Sequence, residues 1–166
     1  SYDPNLRRNL WSDEQTARQY IREGLDLCDV AKLSDEECTF LCGDGEIDAL
    51  GHRLLAEHPN LKLLFVTCGA GGSYAFCGSR MAFVPGFSVK IADTTGAGDA
   101  FVGAVLYQIL RRGGLREAYS PAELEQLLTF GNAVGALSVQ RYGAIPAIPT
   151  LAETESFLHA QGLLGA

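Results

Sequence analysis

Residues 61–67, LKLLFVT, form a nearly continuous apolar run set between stretches of other character. A strand with one wet face alternates apolar and polar residues, so this run predicts a strand covered on both sides, as in a parallel sheet flanked by helices. Upstream, Ile47–His58 keeps a helical period and is closed by Pro59. Downstream, SYAFCG (73–78) and RMAFVPGFSVKIAD (80–93) are split by turn residues and read as antiparallel strands at one edge of the same sheet. Helices alternating with buried strands imply a three-layer α/β/α fold on a mainly parallel sheet.

Local signals place the remaining elements. Ser12–Gln15 has the form of a capping box ahead of Ala17, Tyr20, Ile21 and Leu25, and a short strand is expected over Leu27–Leu33. Ser34-Asp35-Glu36-Glu37 repeats the box before Phe40 and Leu41, with Gly43 or Gly45 as the stop. Gly98–Arg111 carries Val102, Val105, Leu106, Ile109 and Leu110 along one face and ends at Gly113-Gly114. Ser120-Pro121-Ala122-Glu123 precedes Leu124, Leu127, Leu128 and Val134, and Thr150 with Glu153 precedes Phe157 and Leu158. No repeat or long linker marks a second domain, so residues 1–166 are taken as part of one.

The net charge of −7 gives no basic footprint for nucleic acid or an anionic membrane. No stretch is apolar for long enough to span a bilayer, and no charged-then-apolar leader opens the chain, so a soluble cytoplasmic protein is expected. Cys28, Cys38, Cys42, Cys68 and Cys77 read as reduced packing residues. Cys38 and Cys42 lie one helical turn apart but lack the partners of a zinc site. His52, His58 and His159 stand alone and are expected on the surface at helix ends.

Residues 93–101, DTTGAGDAF, place an aspartate behind two glycines where a turn feeds a helix. In α/β sheets ligands bind at such junctions. Gly96 and Gly98 let backbone N–H groups approach a ligand, and the helix aims its unpaired amides at the same point, which suits an anion. Asp99 then either belongs to that site or only offsets the helix dipole, an effect of about 0.3–1 kcal/mol. The spacing of Gly96, Gly98 and Gly103 is not GxGxxG, and no GK[ST] follows, so neither a dinucleotide fingerprint nor a P-loop is met.

DTTGAGDAFVGA (93–104) resembles the C-terminal signature of the PfkB, or ribokinase-like, family of sugar kinases. TCGAGG (67–72) is similar to that family's nucleotide loop, KLSDEE (32–37) sits at its N-x-x-E motif, and FGNAVGALSVQRYGAIPAIP (130–149) resembles the helix and loop over the adenine. With YDPNLR and LW near the start, the wording is nearest to the fructokinase branch. The similarity runs over nearly the whole chain but only over the family's C-terminal half. The N-terminal half, with most sugar contacts and the lid through which a homodimer often forms, is expected to lie outside this sequence.

The resemblance implies a ribokinase-like fold and phosphoryl transfer from ATP to a small sugar, in fructokinases the 6-hydroxyl of D-fructose. Asp99 would be the catalytic base, and the amides of Gly96, Ala97, Gly98 and Asp99 an anion hole for the γ-phosphoryl group. Thr67, Gly69 and Gly72 would line the nucleotide, although a plain turn accounts for the glycines, and Asn132 would border the adenine or be an ordinary polar helix residue. Glu37 would act on Mg²⁺ through water. Ser34 would make the nucleotide phosphate contact of the family's Asn, which it replaces, and a capping box explains Ser34 and Glu37 equally well. Carbonyls of Asp93, Thr95, Ser138, Arg141 and Gly143 would form a K⁺ loop. Asn5 and Arg7 reach the sugar or phosphate, or form a surface turn. Two functional classes stay open: part of an active kinase for fructose, ribose, 2-keto-3-deoxygluconate or a nucleoside, and a nucleotide-binding or structural piece without turnover.

Overall fold

In the computed structural model, which describes residues 1–163, Val30–Ser34 (β1) and Leu63–Thr67 (β2) pair in parallel with Ser34 opposite Thr67. Ser73–Cys77 (β3) joins β2 antiparallel, and Arg80–Val84 (β4) joins β3 the same way, giving the order β1-β2-β3-β4. A parallel bridge from Tyr2 to Ala31 continues the sheet beyond β1. The four-stranded sheet is therefore mixed, parallel on the β1 side and closed by the expected hairpin on the other. That hairpin is shorter than its sequence suggested: β4 stops at Val84, because Pro85 has no N–H to continue a ladder, and residues 85–93 run on as loop.

Period-2 alternation sorts the strand side chains into two cores. Ala31, Leu33, Leu64, Val66 and Phe76 face Glu14–Asp26 (α1), Asp35–Cys42 (α2) and Ile47–Glu57 (α3). Val30, Leu63, Phe65, Ala75, Cys77 and Ala82 face Ala97–Arg111 (α4) and Pro121–Ser138 (α5). Leu63–Val66 are fully buried, as the apolar run required, and the result is three layers. Leu151–Ala160 (α6) packs outside α5 through Leu158. Among the described residues no helix is long and apolar enough to cross a membrane.

Three of the capping boxes form as written, at Ser34/Glu37, Ser120/Glu123 and Thr150/Glu153. The fourth does not. Asp13, not Ser12, caps α1, its carboxylate accepting from the Thr16 N–H at 2.8 Å, because an ionised carboxylate is the stronger acceptor and favours the positive helix end. β1 begins at Val30, three residues after Leu27, which is exposed. On α4, Phe101, Ala104, Val105 and Ile109 make the buried stripe, and Leu110, about 100° further round, is exposed.

His58 also departs from expectation: it is buried, and its Nδ1 lies 2.6 Å from Asp26 Oδ1 at the end of α1. His52 lies mid-helix with its ring edge-on to Phe76, whereas His159 is exposed in the last turn of α6. Cys28, Cys38 and Cys77 are buried, all five cysteines are unpaired, and burial pushes the Cys68 thiol up to about 11. Among the described residues, no group of three His, Cys, Asp or Glu side chains converges to hold a metal.

Candidate functional site

The parallel strands β1 and β2 end side by side at Ser34 and Thr67, and α4 starts next to them after a turn at Gly96. Gly96 has φ 78°, a left-handed conformation that a side chain disfavours, and a methyl group there would also lie 2.9 Å from the Ala144 Cβ. Between these chain ends opens a cleft of about 410 Å³. Thr67, Gly69 and Gly72 form one wall, Ala97, Gly98 and Phe101 of α4 another, and Asn132, Ala136 and Val139 of α5 with the adjoining residue a third. Phe87, Val89 and Ile91, from the loop read in the sequence as strand, add an apolar side. An apolar slot with a few polar groups at one end matches the general form of a small-molecule site.

The polar end is the start of α4. The Ala97 amide donates to the Thr94 carbonyl at 3.2 Å, and helical bonding begins with Ala100 to Gly96 at 2.8 Å. The amides of Gly96, Gly98 and Asp99 have no hydrogen-bond acceptor among the described residues. Such N–H groups at a positive helix end attract an anion. Asp99 is exposed in the same turn, and its carboxylate makes no hydrogen bond or ion pair with the described residues.

Gly72 is fixed by close approach. Its φ is 116°, and an added methyl would run into the Val84 carbonyl oxygen and lie 2.7 Å from Pro85 Cα. The facing segment is packed as tightly, a methyl on Gly86 lying 2.5 Å from the Ala70 carbonyl oxygen. Asn132 locks this wall: Oδ1 accepts from Ser73 Oγ at 2.7 Å, and Nδ2 donates to the Val84 and Pro85 carbonyls at 3.1 and 3.3 Å. All three bonds run to protein, so Asn132 shapes the cleft as well as bordering it.

Ser34 and Glu37 lie just outside the cleft lining. Ser34 Oγ accepts the Glu37 N–H at 3.1 Å, while the Glu37 carboxylate accepts from Ser34 N at 2.8 Å and from Leu6 N at 2.6 Å. Glu37 is buried and ties the YDPNLR segment to α2. Each carboxylate oxygen keeps a free lone pair, which suits contact with a metal through water. Asn5 has φ 46° in an exposed turn capped by Asp3, and Arg7 is exposed.

The segments at 93–95 and 138–143 are brought together. Asp93 Oδ1 accepts from Thr95 N and Oγ1 at 2.9 and 2.7 Å, and Oδ2 accepts from Gly143 N at 3.0 Å. These bonds, the Thr95 hydroxyl first, hold the Asp93 carboxyl below its usual range. The Val139 carbonyl accepts from Ala92 and Asp93, and Arg141 N donates to the Ser138 carbonyl at 3.3 Å. These bonds tie the 93–95 turn to the 138–143 loop beside the start of α4.

Sequence reasoning missed Lys32 and its partner Asp3. Lys32 is a lysine inside the apolar strand VAKLS, and it is buried. Its ammonium sits 3.4 Å from Asp3 and 3.0 Å from where a methyl on Gly98 would be. A charged residue amid buried strand neighbours was the available signal.

The sequence pattern of pfkB family carbohydrate kinases matches residues 1–151. The chain is 44% identical over 158 residues to fructokinase-2 of Solanum lycopersicum, covering 95% of this chain and 47% of that protein. It is 45% identical over 161 residues to a probable fructokinase-2 of Arabidopsis thaliana, covering 97% and 48%. It spans about half the length of these relatives. Among solved structures it resembles a fructokinase with bound ATP from Xylella fastidiosa, with TM-score 0.84 and 34% identity over 96% of this chain and 51% of that one. A fructokinase double mutant from Vibrio cholerae O395, with fructose, ADP and potassium bound, gives TM-score 0.80 and 35% identity over 94% and 49%. With these likenesses and the ribokinase-like three-layer fold, the chain belongs to the pfkB family of carbohydrate kinases.

Proposed function

We propose that this chain is the nucleotide-binding and catalytic part of an ATP-dependent sugar kinase that transfers the γ-phosphoryl group to the 6-hydroxyl of D-fructose. The observation that carries the reading is the apolar cleft ending at the free Gly98 and Asp99 amides beside an unengaged carboxylate. The nucleoside lies against the 67–72 loop and α5, and its terminal phosphate meets the start of α4. There, amides stabilise charge building on the equatorial oxygens of the transition state, each contributing on the order of 3 kcal/mol. Asp99 orients the attacking hydroxyl and accepts its proton late, because a loose transition state needs little early proton removal.

Magnesium, when bound, neutralises phosphate charge. Glu37, whose carboxylate is fixed by the Ser34 and Leu6 amides, would hold it through a water. Potassium, when bound, would be held by the carbonyls of Asp93, Thr95, Ser138, Arg141 and Gly143 and would steady the turn before α4. The unpaired cysteines support a reducing compartment such as the cytoplasm. A homodimer formed through lid strands outside this sequence completes the reading.

The test is turnover of the intact protein on fructose, ribose, 2-keto-3-deoxygluconate and a nucleoside, with Asp99→Asn alongside. Fructose turns over fastest, and Asp99→Asn lowers kcat by about 100- to 10,000-fold while ATP affinity stays within about twofold. Parallel loss of ATP binding makes Asp99 a structural residue, and absence of turnover on every acceptor removes the kinase reading.

A further inference from the structure

Resting on that nucleotide reading, we propose that Asp3 is a positioning residue for phosphoryl transfer, holding the buried Lys32 ammonium against the first turn of α4. The sheet decides the placement. Tyr2 pairs with Ala31, through Tyr2 N to the Val30 carbonyl and Lys32 N to the Tyr2 carbonyl at 2.9 and 3.0 Å. Tyr2 and Ala31 both belong to the α1–α3 side, so the next residues along, Asp3 and Lys32, turn to the α4 side. Lys32 pairs with Phe65 in register, and its chain runs beside apolar strand neighbours to reach Gly98.

The charge balance then asks for an anion. A buried ammonium is costly unless paired, and beside a helix N-terminus it faces the dipole's positive end. Among the described residues its one ionic partner is Asp3, at 3.4 Å, longer than an ordinary charge-assisted bond. An ammonium carries three donors, so Asp3 aims it without exhausting it. Asp3 is itself fixed, accepting from Asn5 N at 3.2 Å, and its side chain is largely buried. Lys32 lies outside the cleft lining but beside Gly98, so its ammonium and the free amides of Gly98 and Asp99 are placed to share one anion, the β- and γ-phosphates of the bound nucleotide. Asp3 acts through Lys32 and touches no reacting atom.

The test is calorimetric binding of AMP, ADP and a non-hydrolysable ATP analogue with Mg²⁺ to the intact protein, for Asp3→Asn, Asp3→Glu, Lys32→Met and Asp3→Asn/Lys32→Met. Lys32→Met is expected to lower affinity for ADP and the ATP analogue by about tenfold and leave AMP within about twofold, which also shows that the variant is folded. Asp3→Asn lowers the same two affinities by about threefold to tenfold, Asp3→Glu restores part of the loss, and the double variant is no weaker than Lys32→Met alone. If Asp3→Asn weakens AMP and ADP alike, or adds its full effect in the Lys32→Met background, the Asp3 assignment is overturned and the nucleotide reading stands. If the unaltered protein binds none of the three, the nucleotide reading is overturned, and this inference with it.

Discussion

Ser73 on β3 donates its hydroxyl to Asn132 Oδ1 on α5 at 2.7 Å, and both side chains are buried. The bond links two elements 59 residues apart in sequence and leaves the Asn132 amino group to grip the Val84 and Pro85 carbonyls. The wall opposite the start of α4 is built on this one amide.

Replacing Asn132 with Leu removes the partner of the buried Ser73 hydroxyl and of the Val84 and Pro85 carbonyls. We expect a loss of about 1–3 kcal/mol in urea unfolding. Because the Val84–Gly86 segment is released, nucleotide affinity should fall too. Ser73→Ala in the Asn132→Leu background should add little, since the two effects share one network.

Gly72→Ala and Gly69→Ala separate conformation from space. Both glycines have positive φ, but a methyl at Gly69 meets nothing within 4 Å, whereas at Gly72 it strikes the Val84–Gly86 backbone. Gly69→Ala should cost about 1–2 kcal/mol from the left-handed backbone alone. Gly72→Ala should cost upwards of about 3 kcal/mol and displace the cleft wall, read as unfolding midpoints with nucleotide binding alongside.

Glu37→Gln examines whether this carboxylate holds the fold as well as a metal. Glutamine brings one acceptor to a place where two backbone N–H groups, of Ser34 and Leu6, are accepted now. In metal-free, nucleotide-free buffer the variant should unfold about 1–3 kcal/mol more easily. An unchanged midpoint would confine Glu37 to the metal.

Two capping glutamates set an acid limit. The Ser120 N–H, then Arg116, draws Glu123 down to about 2, and Arg141, then the Thr150 N–H, draws Glu153 down to about 2, from an unfolded value of 4.5. Folded values below the unfolded one mean that their stabilisation is complete above about pH 4.5 and fades as pH falls toward 2. Urea midpoints should drop across that window, and Glu153→Gln should flatten the drop while lowering the midpoint at neutral pH.

What the sequence determined by itself was everything held by short range or periodicity. The boxes at Ser34, Ser120 and Thr150 close over three residues, so their partners are visible in the string. The run at 61–67 had to be buried on both faces wherever it lay. The turn before α4 was legible because Gly96 alone can take its backbone angle cheaply. Tertiary structure decided the rest. His58 looked like a surface helix end until Asp26, 32 residues away, came within 2.6 Å. Asn132 could have faced solvent or ligand until β3 and the Val84–Pro85 carbonyls supplied its three partners. Lys32 gained meaning only when sheet register set Asp3 on one side and Gly98 on the other. Pairings across long stretches of chain are chosen by how the layers pack, and no local propensity encodes that choice.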